Sequence, residues 1–298
     1  DIIKSIEYRN QYLPTEEEFI EVLENIHRKK TSPKPLFNPN LPTWQSWQVA
    51  AAFMLTTLFG FVFYYITKKN MELPVIKEIP VSYITKSTSK GQKLTLSLPD
   101  GTLQKNNAES FIRIPEKFTA EKREIYLNGE AYFNVAKDSL RPFMIYSGNL
   151  LTTVLGTSFN IKSYPDETVQ RVTVVSGKVS VKSLDNKSSE PAFLLPNSLL
   201  IYHTEKNENL IERNIDIKPE LAWTEGVIIY EDEYLKKILK DLERWYGVEF
   251  IVGSGVDQTG KYTGTFDNTN LDNVLQGLSF MSKGFQYQIE GKKVWISK

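Results

Sequence analysis

The feature that most limits what this chain can become is VAAAFMLTTLFGFVFYYI, residues 49–66, eighteen consecutive positions without a charge. As a helix rising 1.5 Å per residue it would be roughly 27 Å long, close to the hydrocarbon thickness of a bilayer. Trp44 and Trp47 precede the run, and Tyr64, Tyr65, Lys68 and Lys69 close it. Aromatic and basic flanks of this kind settle at membrane interfaces. The run is apolar on every face, whereas helices packed in a soluble core usually keep a polar side. It is a poor export signal, because it ends in bulky YYI and a lysine pair instead of a small-residue cleavage site. The sequence therefore predicts a single membrane span over residues 44–67.

Local charge does not orient that span: Arg28, Lys29, Lys30 and Lys34 lie before it, and Lys68, Lys69, Lys77 and Lys86 after it. Residues 1–30 read as two short amphipathic helices, with Ile2, Ile6 and Leu13 on one face and Phe19, Leu23 and Ile26 on the other. Between them Pro14, Thr15 and Glu18 carry a T-x-x-E capping signature. Helices this short bury too little to stand alone, so the tail is expected to bind a protein, with Phe19, Leu23 and Ile26 as its contact residues. Residues 31–43 hold four prolines and form a stiff linker, which completes a leading region of 1–43.

Beyond a polar connector at 68–89, residues 90–212 alternate in short apolar steps broken by turns. Leu94, Leu96 and Leu98 run into a PDGT turn, Ile125 and Leu127 precede Asn128-Gly129, and Val172 and Val174 lead through Ser176-Gly177 to Val179 and Val181 in a hairpin-like unit. The spacing predicts an all-β module and does not choose among a sandwich, a barrel and a solenoid. From residue 218 the pattern changes. Leu235, Ile238, Leu239, Leu242 and Trp245 share one helical face, and Leu271, Val274, Leu275 and Leu278 share another. With strands between and around them the order is βαββαββ, a small α+β domain over 218–298 with its helices expected on one sheet face.

Chemical motifs are thin. Zero cysteines exclude disulfides and thiol nucleophiles, and two histidines, His27 and His203, make triads and multi-histidine metal sites improbable. The 36 basic and 36 acidic residues balance, which removes the electrostatic drive for direct nucleic-acid binding. Gly255 to Lys261 has P-loop glycine spacing, but Tyr262 stands where Ser or Thr would hold magnesium. Ser87 and Lys90 match the S-x-x-K of serine acylases with no second motif beside them. No cofactor and no metal is expected.

Eight strings, in order, resemble the FecR family of bacterial transmembrane sigma-factor regulators, in the form with an extra C-terminal domain. They are LPDGT (98–102), GEAYFNVAKDSLRPFMI (129–145), VLGTSFNI (154–161), VTVVSGKVSV (172–181), LAWTEGVIIY (221–230), LERWYGVEFIV (242–252), YTGTFDNTNLDNVLQGLSF (262–280) and YQIEGKKVWI (287–296). The resemblance implies an N-in, C-out protein of the inner membrane whose tail binds an extracytoplasmic-function sigma factor. It further implies that a solenoid-like β module and a signalling-domain-like α+β module meet a TonB-dependent transducer in the periplasm, the receptor engaging through strand addition at a sheet edge. An intramembrane protease would cut the span, and the transported ligand would be an iron complex or a glycan. It also marks Gly156-Thr157 as a bond that could break itself, Thr157 attacking the preceding carbonyl in an N-to-O acyl shift; the alternative is a tight turn at Gly156 ahead of a strand. Two rival readings are an envelope scaffold or adhesion protein with an idle tail and a hydrolase using Ser87 and Lys90; apart from self-cleavage, no enzyme is expected.

Overall fold

The computed structural model describes residues 57–65, 82–185, 190–281 and 284–298. The chain divides into two compact units. Of one, only helix α1, residues 57–65, is described; its side chains are exposed, and the Phe61 and Tyr65 rings lie 5.5 Å apart one turn on. Among the described residues no helix is long and apolar enough to cross a membrane. Tyr64 and Tyr65 sit in α1, whereas Trp44, Trp47, the rest of the expected span and the tail residues Phe19, Leu23 and Ile26 lie outside the described residues.

The other unit holds two modules. In the first, strands β1 (Tyr83–Ser87), β4 (Phe111–Pro115), β6 (Phe143–Ser147), β7 (Leu150–Val154), β10 (Val179–Ser183) and β11 (Ala192–Leu194) form one layer. The second layer contains β2 (Leu94–Ser97), β3 (Leu103–Asn106), β8 (Ser158–Ser163), β9 (Val169–Ser176), β12 (Ser198–His203) and β13 (Glu208–Arg213). One strand belongs to both: β5, Arg123–Asn134, pairs with β4 and β6 through its first half and with β3 and β8 through its second. Inward side chains of the two layers make a continuous core in which Ile112, Ile125, Phe133, Phe143, Ile145, Phe159, Ile161 and Val172 are fully buried.

Three expectations change here. Asn128-Gly129 is no hairpin turn but the point where β5 passes from one layer to the other; a Cβ on Gly129 would fall 2.7 Å from Ser110 Cα, so only glycine lets the strands cross. Ser176-Gly177 likewise carries the chain between layers, because β9 pairs with β8 and β12 while β10 pairs with β7 and β11. A two-residue turn signal looks the same whether the strands beside it pair with each other or with others. Finally, among the described residues every pairing in the module is antiparallel except β5 with β6, so the sheet folds over on itself instead of stacking the repeated parallel coils of a solenoid.

The LPDGT string is a structural anchor. Asp100 accepts from Thr102 N and Oγ1 at 3.0 and 2.7 Å and from the buried guanidinium of Arg123 at 2.8 Å. Arg123 also donates to the carbonyls of Arg141 and Ala136 at 2.9 and 2.8 Å, so this fully buried cation is paired and hydrogen-bonded, the condition under which such burial is tolerated.

A short helix α2 (Lys218–Leu221) and a 3-10 turn (Ala222–Glu225) lead into the second module: β14 (Val227–Tyr234), α3 (Leu235–Tyr246), β15 (Glu249–Val252), β16 (Lys261–Asp267), α4 (Leu271–Met281), β17 (Gln286–Glu290) and β18 (Lys293–Ser297). The βαββαββ order is the one the sequence predicts. Its strands, however, form two sheets, β14–β16 and β15–β18–β17. Helix α3 packs on β14 and β15, and α4 on β16 and β17, so the helices serve both sheets and not one face. The cause lies in pairing: β14 takes β16 as its antiparallel neighbour, leaving β15 to pair in parallel with β18. Gly247, at φ 68°, caps α3 by donating to Glu243 O at 3.0 Å.

Candidate functional site: the junction between the two modules

Helix α3 buries two stripes. Leu235, Ile238, Leu239 and Leu242 face its own module's core. Lys237, Asp241 and Arg244, at i, i+4 and i+7, share a helical face of their own and meet the first module. Arg244 is the centre. Its Nε donates to Glu109 at 2.9 Å, Nη1 to Glu167 at 2.7 Å and Nη2 to both oxygens of Asp166 at 2.9 and 3.0 Å. Its guanidinium lies 3.7 Å from the Tyr164 ring centroid, and its carbonyl accepts from Gly91 N at 2.8 Å. Lys240 pairs with Asp166 at 2.8 Å, and Lys237 bridges Asp241 and Glu167 at 2.5 and 3.6 Å.

Beneath this clamp the residues linking the modules are pinned by aromatics. Trp223 packs on Tyr132 and Val175 and donates from Nε1 to Asn160 Oδ1 at 3.2 Å. Asn160 and Asn107 donate to the two oxygens of Glu130 at 2.9 and 2.7 Å. Lys93 donates to Trp223 O at 3.1 Å with its ammonium 3.3 Å from the Trp245 ring centroid, and Arg171 pairs with Glu220 at 2.8 Å. Of these residues Glu130, Glu167, Arg171, Glu220, Trp223 and Arg244 help to line a cavity of about 510 Å³.

Burial and opposed charge set the titration of the group. Burial pushes the Glu130 carboxyl up, against the pull of Lys162 and the two amides. Burial alone would raise Asp241 too, but Lys162, Lys237 and Arg244 outweigh it and hold Asp241 below the usual carboxylate range. Burial also lowers Lys93 to about 8, a cost that Glu130 only partly offsets. Among the described residues no group of His, Asp and Glu is placed to hold a metal ion. The arrangement fastens two modules and leaves a charged slot between them.

The residues singled out by sequence lie elsewhere. Gly156 and Thr157 sit where three segments cross: Val135 N donates to Thr157 O at 3.0 Å, Asp138 N to Leu155 O at 2.8 Å, and Thr157 Oγ1 to Lys178 O at 3.0 Å. A Cβ on Gly156 would fall 2.7 Å from Lys137 Cα, so close approach of two backbones accounts for the glycine. Lys90 faces Glu243 at 3.8 Å, and Ser87 closes β1. The junction residues left a faint trace in the sequence, a charged i, i+4, i+7 stripe on a helix whose apolar face is already accounted for. Such a stripe ordinarily faces water.

Comparison with known proteins decides the family. The description "FecR protein" matches residues 85–180, and "FecR, C-terminal" matches residues 227–296, one on each side of the junction. The chain belongs to the FecR family. Two crystal structures, both described as a candidate anti-sigma factor from Parabacteroides distasonis, are similar to it. One is 30% identical with a TM-score of 0.65 and covers 72% of this chain and 99% of its own; the other is 29% identical with a TM-score of 0.66 and covers 73% and 99%. No curated protein matches. In this FecR-family chain the two matched regions correspond to the two modules, and the clamp of Arg244 joins them.

Proposed function

We propose that this protein regulates an extracytoplasmic-function sigma factor and relays to it a signal received from a TonB-dependent transducer at the outer membrane. The observation that carries the reading is the succession of a FecR module and a FecR C-terminal module in a chain similar to structures described as anti-sigma factor candidates. In this arrangement residues 1–43 hold the sigma factor in the cytoplasm, the span at 44–67 crosses the inner membrane, and the joined modules face the periplasm, where a transducer engages them. An intramembrane protease would then release the tail. The protein acts by binding and not as an enzyme.

The test uses the full chain, solubilised from its native membrane in mild detergent, against a chain lacking residues 1–30. A sigma factor should co-purify with the first and be lost from the second. Equal recovery from both, or from neither, would overturn the reading.

A further inference from the structure

The two layers of the first module present outer faces of different fates. On the second layer the outward Tyr132 and Val175 lie beneath Trp223 and Leu221 of the link to the second module. On the first layer a row of outward side chains runs in register across five adjacent strands: Arg113 on β4, Tyr126 on β5, Tyr146 on β6, Leu151 on β7 and Lys182 on β10. Tyr83 and Met144 flank it. A sheet face built for water shows polar side chains where its inner face shows apolar ones. Here the outward positions are aromatic and aliphatic, yet Tyr83, Tyr126, Met144, Tyr146 and Leu151 neither belong to a buried cluster nor pack against one. The rings lie beside one another, Tyr126 stacking on Tyr146 at 5.2 Å and meeting Tyr83 edge-on at 6.2 Å.

Charge says what such a face fits. Arg113 and Lys182 stand at the two ends of the row, four strand spacings or about 19 Å apart. Neither side chain has an ion pair or a hydrogen bond among the described residues. The Arg113 guanidinium lies 4.0 Å from the Tyr83 ring centroid and 5.1 Å from that of Tyr126, which leaves its donors open. Glu124, the carboxylate beside the row, is already taken by Lys122 and by the Tyr126 hydroxyl at 2.8 Å. A second copy of this chain laid on the face would set cation against cation. A bilayer of anionic phospholipid meets every part of it: tyrosine rings settle at headgroup depth, a guanidinium takes phosphate oxygens in pairs, and attachment grows with apolar area plus attraction to anionic lipid. Strand β1 begins at Tyr83, sixteen positions after the span read at residues 44–67. At about 3.5 Å per residue that tether keeps the face within roughly 55 Å of the bilayer, where its effective concentration is high. Resting on the membrane reading above, we infer that the outer face of the first layer lies on the anionic headgroups of the bilayer that the span crosses, Arg113 and Lys182 taking phosphates at the two ends of the Tyr126, Tyr146 and Leu151 row.

The chain has no cysteine, so one introduced thiol carries a fluorophore to a single place. The experiment reconstitutes the full chain into vesicles of phosphatidylethanolamine and phosphatidylglycerol with a nitrobenzoxadiazole label at Leu151→Cys or at Leu210→Cys. Leu210, on β13, is exposed and belongs to the other layer. A phospholipid spin-labelled in its headgroup should quench position 151 at least threefold more than position 210. Exchanging phosphatidylglycerol for phosphatidylcholine, which needs no variant, should bring the two positions level. Arg113→Gln combined with Lys182→Gln should do the same in anionic vesicles at an unchanged unfolding temperature, because each charge near an anionic surface contributes about fivefold. Equal quenching at 151 and 210 in anionic vesicles would overturn the inference and leave the membrane reading standing. Quenching at 151 that survives both the lipid exchange and the double substitution would overturn the role of the two cations. Energy transfer between labels at 151 on different copies, without quenching by lipid, would assign the face to a second copy instead. Failure of the full chain to float with the vesicles would overturn the membrane reading and the inference together.

Discussion

The first module and its junction with the second are both heavily buried, yet they are held by opposite means. Inside the first, two sheet layers interlock through apolar side chains, and Phe133 stacks on Phe159 at 5.4 Å. At the junction, ten charged side chains from both modules, with Arg244 at their centre, do the fastening. Apolar packing is insensitive to salt and mild acid, whereas paired charges respond to both. A molecule built this way can loosen between its modules while each stays folded.

The largest test of this contrast is Phe159→Ala. A fully buried aromatic removed from a close-packed layer should cost about 4 kcal/mol, read as a lower midpoint of the single denaturant transition in which the joined modules unfold. Next is Arg244→Ala, which strips Glu109, Asp166 and Glu167 of a common partner. The expected loss is about 3 kcal/mol, and it should appear as the splitting of one unfolding transition into two. A single transition, shifted as a whole, would mean that the modules do not separate.

The smallest effect is acid. Asp166 and Asp241 are both held below the carboxylate value of 3.8 against burial, Asp166 by Lys240 and Arg244 and Asp241 by Lys162 and Lys237. A carboxylate depressed in the folded state adds stability above its unfolded value and loses it as pH falls through the folded one. Glu130, shifted up by burial, works the other way and blunts the change. Below about pH 4 the fluorescence of Trp223 and Trp245 should report an opened junction before circular dichroism reports loss of either sheet. Simultaneous change in the two signals would contradict the contrast.

How much of this was legible in the sequence follows the same division. The second module's element order could be read from apolar periodicity, since α3 and α4 repeat their hydrophobic residues at helical spacing and the strands between them alternate. The first module's class could be read, but its course could not. Strand β1 lies in what the sequence marks as a connector, because four of its five residues are exposed and an edge strand lacks the alternation that announces it. Gly129 and Gly177 carry turn signals for what are crossings between layers, a distinction set by partners distant in the chain. The junction was the least legible part: Lys237, Asp241 and Arg244 resemble any solvated helix face until Glu109, Asp166 and Glu167 are brought against them. Charge complementarity between segments more than seventy residues apart has no local signature.

One feature of the second module bears on how it is made. Its final strand, β18, is the middle strand of the three-stranded sheet, with β15 on one side and β17 on the other. Neither neighbour has a place in that sheet until residues 293–297 have been synthesised. During biogenesis the module therefore stays unfinished until β18 has been made, and a product that lacks residues 293–297 loses both ladders together. The outer strands of that sheet therefore depend on a neighbour made after both of them, so the order of synthesis runs against the order of assembly.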